Sequence, residues 1–161
     1  IHMQTLCGMA HYDFRLKNGH SYEQAFNVMR RLRLPYSQAQ EMFRRIVFNV
    51  VVRNQDDHTK NISFLMDSSG QWSLSPAYDM GFAYNPLGAW TATHQMSING
   101  KFDNITRADL LSLANANNIK NASEIIDQVC ETTAGWPELA KNCGVPQKMI
   151  DGIVPHMLLS I

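Results

Sequence analysis

The sequence predicts a mainly α protein of the α+β class, a single domain over residues 1–161 with a small β-hairpin near its middle. Three observations lead there. Helix-opening residues recur at the spacing of a capping box: Ser21 with Gln24, Ser37 with Gln40, Asn121 with Glu124, and more loosely Thr106 with Asp109. Ala39, Met42, Phe43, Ile46, Val47 and Val50 form an apolar stripe at helical period. Finally, Ile62, Phe64 and Met66, and then Trp72 and Leu74, alternate with other residues on either side of the turn-forming "DSSG" at 67–70.

Taken in order, these signals predict helices near 21–33, 37–53, 106–117 and 121–134, with Pro35 separating the first two. The second becomes apolar on every side towards its end, where Phe48, Val51 and Val52 join the stripe. A helix that enters the centre of a domain has that pattern. The hairpin stops at "SPAYDMG", where Pro76 cannot donate to a ladder and Gly81 permits an unusual backbone angle. Residues 82–104 are rich in Gly, Asn, Pro and aromatics and read as an irregular loop region with a short strand at Met96–Ile98. A short helix is expected after Pro137 and another from Pro146, bent at Pro155.

Composition narrows the function classes. Net charge is zero, but between Arg30 and Arg53 six arginines face one carboxylate, Glu41, while beyond Asn61 nine acids stand against five bases. A strongly basic DNA-binding module is therefore not expected, and the arginine-rich stretch reads as a solvated face or a docking surface. No run of eighteen apolar residues and no signal peptide is visible, so no membrane partner and a cytoplasmic setting are expected. Cys7, Cys130 and Cys143 fit neither a disulfide framework nor a zinc spacing and are expected as buried free thiols. The histidines at 2, 11, 20, 94 and 156 lie too far apart for a readable metal motif.

The chemistry concentrates in "VVRNQDDHTKNISFLM", residues 51–66. Asp56 and Asn61 are five apart, and Asp79 follows across the hairpin, which runs out and back and so returns Asp79 beside Asn61. Phosphoryl transfer needs this set: a carboxylate to orient and deprotonate an attacking hydroxyl, and two oxygen ligands for Mg2+ on the phosphates of ATP. Protein kinases carry the same parts as a catalytic-loop D-x-x-x-x-N and, after a hairpin, D-F-G. Here they read "DDHTKN" and "DMG", and the positions before Asp56 are Asn54 and Gln55 instead of His-Arg. Plainer accounts stand beside this one. Asp56, Asp57 and Asn54 are also the residues that cap a helix and turn a chain, His58 could be structural, and Asp57 could compete with Asp56 for the base or metal role.

At "DDHTKNISFL", "LSPAYDM" and "MSINGKFDNITRADLLSLA" the chain resembles the HipA-like serine/threonine protein kinases, toxins of bacterial toxin–antitoxin pairs. The resemblance implies the helical carboxyl lobe of a protein-kinase-like fold, with ATP and Mg2+ as cofactors. It also implies a protein substrate, with aminoacyl-tRNA synthetases as the associated target class, and a DNA-binding antitoxin as partner. By motif position, Asp56 is the catalytic base, Asn61 and Asp79 are the metal ligands, Lys60 contacts the transferring phosphate, and His58 orients the loop. No glycine-rich phosphate loop or nucleotide-gripping strand lysine occurs, and the chain opens with "IHMQTLCGMA". It reads as a fragment that lacks the amino-terminal nucleotide-binding lobe and has weak or no activity alone. The rival expectations are a pseudokinase or docking module and a small-molecule phosphotransferase.

Overall fold

A computed structural model describes residues 1–161. In chain order it contains β1 (His2–Thr5), α1 (Leu6–Ala10), β2 (His20–Ser21), α2 (Tyr22–Arg31), α3 (Tyr36–Val51), β3 (Ser63–Met66), β4 (Trp72–Leu74), β5 (Met96–Ser97), α4 (Arg107–Ala116), α5 (Ala122–Ala134), α6 (Trp136–Asn142) and α7 (Gln147–Ile153). A 3-10 turn at Val154–His156 follows, so Pro155 ends the last helix where a bend was expected. The class is α+β, as the sequence predicts.

Two of the four expected capping boxes form. Ser21 and Gln24 close the start of α2 reciprocally, and Thr106 and Asp109 do the same for α4. The other two do not. α3 begins at Tyr36, behind Pro35, without a side-chain cap, and Asn121 gives α5 none. Gln40 Nε2 donates to Asn121 Oδ1 at 2.7 Å instead, so the two side chains expected to cap separate helices bond the helices to each other. Gln38, in the first turn of α3, bonds the hairpin region, its Oε1 accepting from the Leu74 amide at 2.7 Å.

α3 runs through the middle of the core. Met42, Phe43, Ile46, Val47, Val50 and Val51 are all buried, packed among Leu6, Phe26, Leu110 and Ile125. Burying each large aliphatic or aromatic side chain is worth about 1.5–3 kcal/mol, which makes this stripe the main source of cohesion. The hairpin forms as predicted, with Phe64 opposite Leu74 and Met66 opposite Trp72. Its first strand, β3, is central in an antiparallel sheet of order β1-β3-β4. β1, "HMQT", is short, largely exposed and without a β-branched run, so no sequence signal announces it. β2 and β5 form a second, parallel pair. The cysteines are free, but the expectation that they are buried needs correcting: Cys143 is exposed and Cys7 and Cys130 are only partly covered. No helix is long and apolar enough to cross a membrane.

Asp109 closes the loop before α4. Its carboxylate is buried and accepts from Asn99 Nδ2 at 2.9 Å, Lys101 Nζ at 2.8 Å, and the Thr106 amide and hydroxyl at 2.9 and 2.7 Å. Burial alone would raise its pKa, but these hydrogen bonds outweigh burial and hold it well below the usual carboxylate range. A depressed pKa gives stability that is complete above the unfolded value of about 3.9 and fades as pH falls below it. Asp109→Asn should therefore cost roughly 2 kcal/mol at neutral pH, on the scale of hydrogen bonds to a charged group. In thermal melts that is about 6 °C, and the gap between variant and parent should narrow between about pH 4 and pH 2.

Candidate functional site

The polar segment begins where α3 ends. Arg53 takes a left-handed φ of 52°, and the Asn54 amide turns back to the Asn49 carbonyl at 2.8 Å. The chain then runs beside the segment that follows the hairpin. The Gln55 amide donates to Ala83 O and the Ala83 amide to Arg53 O, both at 3.1 Å, forming a one-residue parallel bridge at Asn54 and Ala83. This bridge brings the neighbourhoods of Asp56 and Asp79 together. From Asp56 the loop folds on itself: His58 N donates to Asp56 O at 2.9 Å, Asn61 N to His58 O at 2.9 Å, and Asn61 Nδ2 to Asp56 O at 3.0 Å. The amides of Leu6 and Cys7, at the start of α1, hold it from behind at Ile62 O and Thr59 O.

The two adjacent carboxylates have opposite environments. Asp57 is 2% exposed and accepts from three directions: Tyr22 Oη at 2.7 Å, His94 Nδ1 at 2.8 Å and the Gln95 amide at 2.7 Å. All are strong contacts to a charge in a low-dielectric setting. Asp56 has a side chain 48% exposed, with only His58 Nε2 near it, at 3.8 Å from Oδ1. Asp57 is thus held by three hydrogen bonds that fix the loop, whereas the Asp56 carboxylate is half exposed. Burial, followed by the charge of Asp57 and the hydrogen bond to it, pushes the Tyr22 phenol well above its ordinary pKa, so Tyr22 stays a neutral donor.

Asn61, Asp79 and His58 line one cleft together with Asn49, Asn54 and Asp57. Asp79 sits in the left-handed region at φ 54°, a conformation that Asp and Asn tolerate better than other side chains, and Asn54 Nδ2 reaches its carbonyl at 3.4 Å. Because Asn61 spends its amide nitrogen on Asp56 O, its Oδ1 is left for another partner. No three His, Cys, Asp or Glu side chains gather to hold a metal. The pair on the cleft, one amide oxygen and one carboxylate, is instead a hard-oxygen set that suits Mg2+, an ion that keeps most of its sphere for water and phosphate oxygens.

Asp56 stands outside the cleft wall, joined to it through its own carbonyl and Asn61. Lys60 is not drawn in. Its Nζ lies 3.9 Å from the centre of the Phe14 ring, a cation–π contact on the outer side of the loop.

Several residues that organise the site gave no signal in the sequence. Tyr22, His94 and Gln95 meet Asp57 from 35 to 38 positions away. Tyr78, whose hydroxyl bonds both Ser63 Oγ and Lys60 O, ties the hairpin to the loop immediately before Asp79. Only its place in "PAYD" could have marked it. Asp57→Ala would leave three buried donors without an acceptor and should destabilise the fold by about 3–5 kcal/mol in urea unfolding. Tyr22→Phe, which leaves two of the three donors in place, should cost about 1 kcal/mol.

Comparisons with known proteins place the chain in a family. The family model for the HipA-like C-terminal domain matches residues 1–136. Among curated relatives, a protein named as a kinase, Y4dM of Sinorhizobium fredii, is 31% identical over 121 residues, which is 72% of this chain and 29% of that protein. The serine/threonine-protein kinase toxin HipA of Shewanella oneidensis is 34% identical over 65 residues, 40% of this chain and 15% of that protein. Among solved structures, a chain in the complex of Shewanella oneidensis HipA, HipB and operator DNA superposes with a TM-score of 0.65 at 21% identity, over 85% of this chain and 35% of that one. The chain therefore spans about a third or less of the proteins it matches. With most of its length under the family model, the chain belongs to the HipA-like C-terminal domain family.

Proposed function

We propose that this chain is the catalytic lobe of a protein-kinase-like enzyme that transfers the γ-phosphoryl group of ATP to a serine or threonine hydroxyl of a protein. The observation that carries the reading is the division of labour in "DDHTKN": Asp57 is buried and bonded on every side, Asp56 is presented to solvent, and Asn61 shares a cleft wall with Asp79. A lobe kept only for docking has no need of that division, which favours catalysis over a pseudokinase role.

In this reading the Asp56 carboxylate accepts the proton of the attacking hydroxyl and holds that oxygen in line with the phosphate. Asn61 Oδ1 and the Asp79 carboxylate would hold Mg2+, whose charge would supply electrostatic stabilisation of the phosphate oxygens. His58, beside Asp56, fixes the loop. Lys60 reaches a phosphate only by leaving the Phe14 face, a swing that its exposed, flexible side chain permits. Positioning and electrostatics supply most of the catalysis in such a reaction, so a loop anchored at Asp57 is the appropriate scaffold.

The nucleotide grip is incomplete here, because the chain carries no glycine-rich loop or strand lysine to enclose ATP. Residues 1–161 alone should turn over weakly or not at all and act within a longer protein. The named relatives include a serine/threonine-protein kinase toxin, and the structural neighbour comes from a complex with HipB and DNA. A DNA-binding antitoxin is accordingly the proposed partner, and a protein, with aminoacyl-tRNA synthetases first, the proposed substrate.

In the longer protein, Asp56→Asn should lower phosphotransfer from radiolabelled ATP by about 1,000-fold, the middle of the range a positioned base contributes, with folding intact because the Asp56 side chain is about half exposed. Asp79→Ala should raise the Mg2+ concentration needed for half-maximal rate. An Asp56→Asn enzyme with full activity would end the assignment.

A further inference from the structure

The last turn of a helix leaves four carbonyls without intrahelical partners, and those of α3 can be fully accounted for. Phe48 O takes the Val52 amide at 2.9 Å, Asn49 O the Asn54 amide at 2.8 Å, and Val50 O the Arg53 amide at 3.2 Å. All three are local. Val51 O takes the amide of Leu158, more than a hundred residues on, at 2.8 Å. The helix end from which the Asp56 loop departs is thus closed by the chain's last segment, which lies beyond the part matched by the family model.

The contact extends past one hydrogen bond. Leu158 lines a cavity together with Val50, Arg53, Gln55 and His94, the last of which bonds Asp57. Leu158, Leu159 and Ile161 pack on the core, and Arg107 Nη1 of α4 donates to Ile161 O at 3.4 Å. Two residues before Leu158, the His156 ring meets Phe82 and Tyr84, with centroids 6.2 and 5.2 Å away, while the Arg53 guanidinium lies 4.4 Å above the Tyr84 ring. Residues 154–161 therefore touch both arms of the Asn54–Ala83 bridge, the arm that leads to Asp56 and the arm that leaves Asp79.

We propose that residues 154–161 form a strap that positions the Asp56 loop, with Leu158 as its main positioning residue. The catalytic meaning of the strap rests on the kinase reading above, but its mechanical role does not. Without it, Val51 O would turn to water and the bridge would lose support along one side.

Amide hydrogen exchange on residues 1–161 tests this. Leu158→Pro removes the donor to Val51 O together with the leucine side chain, so its difference from Leu158→Ala isolates the donor. Met157 already holds φ −70° and ψ 137°, the conformation that a following proline imposes. Leu158→Ala keeps the donor and removes the side chain. Leu158→Pro should speed exchange of the Gln55 and Ala83 amides by tenfold or more, and Leu158→Ala by less, while α2 and α5 keep their protection. In the longer protein the same substitutions should lower kcat with little change in KM for ATP. Unchanged exchange at Gln55 and Ala83 in both variants, or a uniform loss throughout the fold in both, would overturn the strap. An inactive unsubstituted enzyme would count against the kinase reading alone, since the exchange result decides the strap by itself.

Discussion

A single buried carboxylate sets the conformation on which the site depends. Asp57 lies almost fully out of water, where an unpartnered charge would cost several kcal/mol, so the loop folds only in the arrangement that delivers all three of its donors. Tyr22 comes from the start of α2, where it also accepts from Asn49 of α3 at 3.0 Å, and His94 and Gln95 come from the segment entering β5. Three parts of the chain therefore meet at one side chain. Once Asp57 points inward, its neighbour Asp56 is left half exposed, and two residues of identical chemistry acquire opposite environments.

On this anchor the site is built from short, mutually reinforcing pieces. The Asn54–Ala83 bridge sets the spacing between the two chain segments, the Asn61 amide ties the far end of the loop to Asp56, and Tyr78 pins the hairpin to Lys60 O. Arg53 and Asp79 both adopt left-handed backbone conformations, one on each segment that the bridge joins. Such conformations persist where surrounding contacts over-determine them, and they concentrate where a side chain has to be aimed. The cleft wall is shaped by backbone geometry as much as by its lining side chains.

Much of this was legible in the sequence, for reasons that can be named. The stripe from Ala39 to Val50 carries helical periodicity because one wide face must enter the core, and the α2 and α4 caps are local devices encoded within four residues. The hairpin and the D-x-x-x-x-N spacing are equally local. What escaped was non-local. Gln40 and Asn121 have the sequence signature of caps yet bond each other across 81 positions. β1 and β2 are too short to show a period, and the partners of Asp57 are invisible because no spacing rule links residues 22, 57 and 94. Lys60 fits the family motif, but its amine rests on Phe14, a residue to which no motif pointed.

The account turns on Asn61 and Asp79 sharing a divalent ion beside an outward-facing Asp56. Titrating Mn2+ into isotope-labelled 1–161 and following paramagnetic broadening of its amide signals tests this directly, since the effect falls off steeply with distance from the ion. The account predicts that the Asn61 side-chain amide and the backbone amides of 60–62 and 78–80 broaden first, and that Mg2+ competes the effect away. Broadening centred elsewhere, or uniform over the surface, would contradict it.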